Sequence, residues 1–186
     1  MRYVLVLLMF LVCGAARAES DLVLPKVDFS ATAVHESGAV RIVETIHYAA
    51  GKLRIDRGNG FSSTILDLDT GTECLLMVNR TYLVLPLDDE LFRHFIARTP
   101  AMSGAVKTGR TRFDGFEVTK YAFGDDGELA AAGTYWLTDS GIMVRREYDE
   151  GVYGANQHHL EYLNDIRIGK QPANLFVVPA GYRKAK

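Results

Sequence analysis

The feature that most constrains this chain is a recurring alternation of apolar and polar residues in short runs broken by Gly, Asp, Asn and Ser. In VDFSATAVH, Val27, Phe29, Ala31 and Ala33 share one side while Asp28, Ser30 and Thr32 take the other. VRIVETIHY groups Val40, Ile42, Ile46 and Tyr48, and GKLRIDR sets Leu53 and Ile55 against Lys52, Arg54 and Asp56. HHLEYLNDIRI repeats the pattern with Leu160, Tyr162, Ile166 and Ile168, which predicts His158 on the apolar side and His159 outside. A period of two places alternate side chains on opposite faces, so these runs predict half-buried antiparallel strands. The punctuation predicts tight turns at Arg57-Gly58-Asn59-Gly60, Asp69-Thr70-Gly71, Asp125-Asp126-Gly127 and Asp139-Ser140-Gly141.

Two middle runs depart from alternation. ECLLMVN (73–79) and TYLVLPL (81–87) are apolar on both sides, so both faces need cover, from a helix or from something bound. One amphipathic helix is predicted over 87–97, with acidic residues at its start and Leu91, Phe92, Phe95 and Ile96 on one stripe. It stops before Thr99-Pro100, because proline disfavours helix in the residue before it. The small, polar stretch that follows, through residue 112, reads as a mobile loop. FDGFEVTKYAF resumes as strand, with a parity switch that predicts a bulge near Thr119-Lys120. NLFVVPAGY closes the chain as a short strand or turn. These elements predict nine or ten strands and one main helix. The fold class is mainly β (α+β), a single curved antiparallel sheet forming an open half-barrel with the helix in or over its concave face.

The first residues fall outside this scheme. MRYVLVLLMFLVCGAARA carries an early cation, an apolar run and small residues, the pattern of a signal peptide over 1–18 cleaved after Ala18. The apolar run is shorter than the roughly 20 residues that span a bilayer, so no transmembrane span is expected in the mature chain. Plain cleavage is favoured over lipidation at Cys13, because the residue before that cysteine is Val12 rather than a small one. The mature chain, 19–186, is expected to be one domain with a periplasmic location. It retains only Cys74, so no internal disulfide is available. Loss of Arg2 and Arg17 takes the formal net charge from −2 to −4, and no basic stripe suits nucleic acid.

Candidates for chemistry are few. Ser140 lies between strand-like WLT and IMV, whereas a hydrolase nucleophile needs a sharp strand-to-helix turn. His158 and His159 are adjacent and point apart on a strand, so they do not readily share an ion. His35, His47 and His94 are scattered singly and read as structural. Asp67–Glu73 is too short for a twelve-residue calcium loop. No catalytic residue, metal ligand or cofactor is therefore expected. The supply of nine Phe, nine Tyr and five Met suits a core, and equally a cavity on the concave face for an acyl chain.

The order of GKLRID, a TYLVLP strand running into an acidic-start helix, TYWLTDSGIMVRRE and a terminal NLFVVPAGY resembles the bacterial LolA/LolB-like superfamily. The likeness runs closest to its relatives of unknown function such as DUF4412. The arginine-proline and arginine-tryptophan pattern of LolA is missing around Arg54 and Arg57, so the resemblance is to the superfamily and not to LolA itself. It implies an open half-barrel lidded by helices, and a carrier of lipid or lipoprotein acyl chains. The expected function is a non-enzymatic periplasmic protein binding such a ligand, in lipoprotein or outer-membrane lipid trafficking. The alternative is an interaction or envelope-stress sensor module that recognises an envelope protein without lipid cargo. Strand parity and helix face select Leu53, Ile55, Leu76, Val78, Tyr82, Val84, Phe92, Phe95 and Met102 as the apolar lining.

Overall fold

Twelve strands hydrogen-bond into one open sheet in the computed structural model, which describes residues 22–58, 62–87, 89–124, 131–152 and 155–185. The expected signal peptide, the Asn59-Gly60 step and the Asp125-Asp126-Gly127 turn lie outside the described residues. The strands are β1 (Phe29–Ser37), β2 (Val40–Ala49), β3 (Lys52–Arg57), β4 (Ser62–Asp67), β5 (Thr72–Met77) and β6 (Thr81–Pro86) in the first half. After two short helices, α1 (Asp89–Arg93) and α2 (Pro100–Ser103), come β7 (Val106–Phe113), β8 (Phe116–Phe123), β9 (Ala131–Thr138), β10 (Met143–Val152), β11 (Ala155–Ile168) and β12 (Arg183–Lys184). Their spatial order is β12-β6-β5-β4-β3-β2-β1-β11-β10-β9-β8-β7. Every pairing is antiparallel except β12 on β6, and the terminal strands β12 and β7 do not meet, so no barrel closes.

Register sorts the side chains onto two faces. Phe29 stands opposite Tyr48, Tyr48 opposite Leu53, and Leu53 opposite Leu66. This row forms the core face, with Ala31, Ala33, Ile46 and Ile55 beside it, all nearly inaccessible to solvent. The segment after β6 packs onto that face through Phe92, Phe95 and Ile96. Among the described residues, the expected helix over 87–97 is helical only from Asp89 to Arg93. Beyond it the backbone turns, with the Phe95 and Ile96 amides donating to the Phe92 carbonyl. Arg98 then bridges to Leu22, and the Val23 amide donates to the Ala97 carbonyl. The reason lies in the burial of successive residues. Phe95, Ile96 and Ala97 are all buried, so this stretch is enclosed all round instead of along one stripe.

The stretch expected as a loop through 112 differs as well. Its second half is β7, an eight-residue edge strand paired with β8. The register irregularity lies on β7, between Lys107 and Gly109, opposite Lys120 and Tyr121. The parity switch read in β8 arises because both its faces are covered. Tyr121 stacks on Tyr135 on one side, while Lys120 lies over the Trp136 ring on the other.

The Asp139-Ser140-Gly141 step is the bend between β9 and β10. Thr138 closes it from both ends, its amide donating to the Ile142 carbonyl and its hydroxyl accepting from the Ile142 amide. The Gly141 amide seals the turn on the Thr138 carbonyl at 3.0 Å. Gly141 has φ of +86°, and a Cβ there would stand 2.9 Å from the Leu24 carbonyl oxygen, so both conformation and space demand glycine.

The chain's own C-terminal segment lies against the far face at β3, while Val84 on the same face of β6 remains exposed. A 3₁₀ turn at Ala173–Phe176 lies over β3, where the Arg54 guanidinium donates to the Leu175 carbonyl, and β12 then joins β6. Beneath it Ile65 and Leu76 are buried. Arg54 is itself oriented by Asp56 at 2.9 Å. Burial opposes the Asp56 charge, but bonds from Arg54 and Ser63 and the nearby His47 outweigh it and hold the carboxyl below its ordinary range. A folded pKa below the unfolded one stabilises the protein above the unfolded value, and that stability is lost as pH falls through the folded value. The gap in urea midpoint between wild type and Asp56→Asn is therefore expected to shrink as pH falls from about 5 to about 3. A gap that stayed constant over that window would show that Asp56 does not tie down the tail.

Candidate functional site

The right half of the core face leads to a cavity. Tyr121 stands opposite Tyr135, Tyr135 opposite Arg146, and Tyr148 opposite His159, so these side chains line up on one side of β8–β11. The segment from Arg93 to Ser103 runs above them, and between the two lies a cavity of about 290 Å³. Its apolar walls are Ile96, Ala97, Phe123, Tyr135, Met143 and Tyr148. Its polar rim carries three arginines, Arg93, Arg98 and Arg146, with His94, set against Glu150. The Arg146 guanidinium carbon lies 4.3 Å from the Tyr148 ring centre and 5.6 Å from that of Phe123. A guanidinium so placed keeps its charge while presenting an apolar surface.

Next to the cavity the core face turns polar. Glu161 stands opposite His35 on β1 and opposite Arg146 on β10, and its side chain is only 8% exposed. His94 Nδ1 lies 2.8 Å from Glu161 Oε1, His35 Nδ1 lies 3.6 Å from the same oxygen, and Arg146 Nη1 lies 3.8 Å from Oε2. On its other side, His35 Nε2 faces Glu44 Oε2 at 3.5 Å, and Arg57 Nε donates to Glu44 Oε1 at 3.1 Å. Burial alone would neutralise these groups. For Glu161 burial is outweighed by the two imidazoles and Arg146, which hold the carboxyl down at about 2. For His35 burial is outweighed by Glu161 and Glu44, which raise the imidazole to about 9. Burial and the Glu161 charge push the Tyr148 phenol up to about 12.

The nine side chains selected from sequence are not gathered at this cavity. Leu53, Ile55, Phe92 and Phe95 are buried in the core, on or against the core face. Leu76, Tyr82 and Val84 belong to the far face, because Leu76 pairs with Tyr82 and Ser63, and Ser63 pairs with Asp56, out of step with Leu53 and Ile55. That is the side crossed by the C-terminal segment. Val78 sits in a turn and is 62% exposed. Met102 is in α2, and its side chain lies outside the described residues.

The two adjacent histidines are inverted relative to expectation. His159 is the inner one, stacked 4.7 Å from Tyr148, and His158 is outside beside Asp149. Ser140 bonds the Thr138 hydroxyl at 2.9 Å, a contact without a base. The acidic stretch at Asp67 is a tight turn, its carboxylate accepting from the Asp69 and Thr70 amides. No helix among the described residues is long and apolar enough to cross a membrane.

No protein-family model and no curated protein matches the chain. Solved structures do match. An uncharacterised conserved protein from Thermus thermophilus superposes with a TM-score of 0.56 at 10% identity, over 86% of this chain and 90% of that one. The structure of the Pseudomonas aeruginosa MucA/MucB complex superposes with a TM-score of 0.54 at 15% identity, over 81% of this chain and 56% of the matched one. A putative outer membrane lipoprotein-sorting protein domain from Vibrio parahaemolyticus aligns only loosely, at 0.40 and 9% identity, over 81% and 89%. None of these bears on the narrower DUF4412 likeness. The first two show a shared fold.

Proposed function

We propose that this chain is a non-enzymatic periplasmic binding protein that holds the apolar chain of a lipid or of a lipoprotein's acyl group. The carrying observation is the cavity of about 290 Å³ with Ile96, Ala97, Phe123, Tyr135, Met143 and Tyr148 as its walls. That volume stands at the lower end of ligand-binding clefts, which run from about 300 to 1,000 Å³. In this reading the open sheet is a half-barrel, the segment 91–103 lies over its concave face, and cargo leaves when that segment lifts. Each buried methylene contributes about 0.8 kcal/mol, so affinity grows with chain length.

Native mass spectrometry of protein purified without detergent tests this, together with titration of a long-chain fluorescent fatty acid. Co-purified lipid and saturable probe binding are the expected results. Ala97→Phe, which places a ring in the cavity, is expected to weaken the probe at least about tenfold, since excluding two methylenes already amounts to that. Far-UV circular dichroism checks that the variant is folded. The second reading is a module that recognises an envelope protein. It draws on the fold shared with the MucA/MucB structure and on β7, an eight-residue strand at the sheet's edge. Such an edge can accept an added strand. A folded wild-type protein that carries no lipid and ignores the probe would sink the first reading in favour of this one.

A further inference from the structure

We infer that His35, His94 and Glu161 form a binding site for a single divalent transition-metal ion, with Zn²⁺ the best-matched member of that class. The inference concerns the polar cluster beside the cavity and stands whatever the cavity carries. The three residues come from β1, from the turn after α1 and from β11, and their ligand atoms all lie within 4.8 Å of one another. Two imidazoles and one carboxylate, with a further position open, is a set that zinc accepts.

Geometry supports the choice. In a tetrahedral site with bonds of about 2.0–2.1 Å, ligand atoms stand about 3.3 Å apart. The two distances from Glu161 Oε1, 2.8 Å to His94 Nδ1 and 3.6 Å to His35 Nδ1, fall on either side of that value. The same three residues border a separate small void of about 10 Å³, room for about one water-sized particle.

The surroundings have the form of an outer shell. A histidine that ligates a metal through one nitrogen commonly directs the other at a carboxylate, which fixes its tautomer. With Nδ1 toward the metal, His35 directs Nε2 at Glu44, 3.5 Å away, and Arg57 holds Glu44 in turn. Glu161 divides its oxygens in the same way, Oε1 toward both imidazoles and Oε2 toward Arg146. Arg146 opposes a dication and must weaken binding relative to a purely anionic site. The competing arrangement needs no metal. In it His35 is a cation clamped between two carboxylates, and His94 is an ordinary hydrogen-bond partner.

The two arrangements separate under titration. Full-length mature protein, stripped with chelator and dialysed, is titrated with ZnCl₂ by calorimetry, with MgCl₂ as the hard-cation control. One equivalent of Zn²⁺ is expected to bind and Mg²⁺ is not. Zn²⁺ at about a hundred times its Kd is expected to raise Tm by roughly 5–10 °C. Co²⁺ in place of Zn²⁺ should give visible ligand-field bands. His94→Ala is expected to weaken Zn²⁺ at least about tenfold, while His158→Ala, at the exposed histidine, leaves it unchanged. His94→Gln gives the same comparison should the alanine variant misfold. Absence of Zn²⁺ binding by the wild type, or binding indifferent to His94 and lost at His158, overturns the inference.

Discussion

Glu161→Ala is expected to lower the unfolding free energy of the chelator-treated protein by about 3–5 kcal/mol, the range for breaking a buried ion pair from one side. The size follows from what stays behind. Arg146 is 14% exposed and loses the carboxylate it faces, and His35, 21% exposed, keeps only Glu44 as an acidic partner. Tyr148 also loses the charge that its hydroxyl approaches at 3.5 Å. Equilibrium urea unfolding, followed by Trp136 fluorescence, measures the loss. Glu161→Gln should recover part of it, because the amide still accepts a hydrogen bond from His94 while carrying no charge. A loss under about 1 kcal/mol for Glu161→Ala would mean that water reaches the cluster and screens it. A double-mutant cycle with His35→Gln apportions the pair, and residues in direct contact are expected to couple by about 0.5 kcal/mol or more.

Phe92→Ala is the second large effect, expected at about 3–5 kcal/mol. Phe92 is wholly inaccessible and packs in the main core with the strand residues of β1–β4. It is also the residue whose carbonyl closes the turn after α1, accepting from the Phe95 and Ile96 amides. Truncation therefore leaves a cavity under the segment that roofs the candidate site. At about 2–4 °C per kcal/mol for a chain of this size, Tm should fall by roughly 10 °C. A drop of less than about 3 °C would indicate that the segment collapses into the gap. In either case calorimetry with the fluorescent fatty acid would show how far the roof must stay in place for binding.

Much of the architecture is legible in the sequence because period-two alternation is a direct consequence of strand geometry. β1 and β3 are readable residue by residue, and the strand-turn-strand context around Ser140 specifies the hairpin. β2 is readable only in its second half, because Val40 and Ile42 are exposed and Glu44 is buried. The departures have a common physical source, the premise that the inner face is apolar. On β11 the buried residues are Glu161 and Leu163, so from His159 to Leu163 the odd positions point inward, where the apolar Leu160 and Tyr162 suggest the opposite. Beyond the register shift the even positions return to the core side, with Ile166 packed on the core as its spacing suggests. That single inversion exchanges His158 with His159 and hides Glu161. It also makes His35 and His94 look solitary, since β1 and the turn after α1 meet only in three dimensions. A different limit governs β5 and β6. Their two-sided apolarity signals a need for cover, yet Val84 and Leu85, on opposite faces of β6, both stay exposed, and β6 meets the C-terminal segment as an edge partner of β12. β7 escapes detection because its exposed VKTGRTRF has almost no apolar period.

The seam between β1 and β11 has a consequence for how the chain reaches this state. β1 lies in the middle of the sheet, and its outer partner arrives late, with Glu36 and Tyr162 joined across 126 residues. Loop closure over that span must be met before the contacts it permits are gained, which makes folding slow for a chain of this size. Until β11 is available, β1 and β10 each present an unsatisfied edge, nine residues long on β1 and ten on β10. Such edges are templates for pairing with other chains. The order of synthesis therefore sets a window in which two half-sheets wait for one strand, and a chaperone that shields the β1 edge would act at that interval.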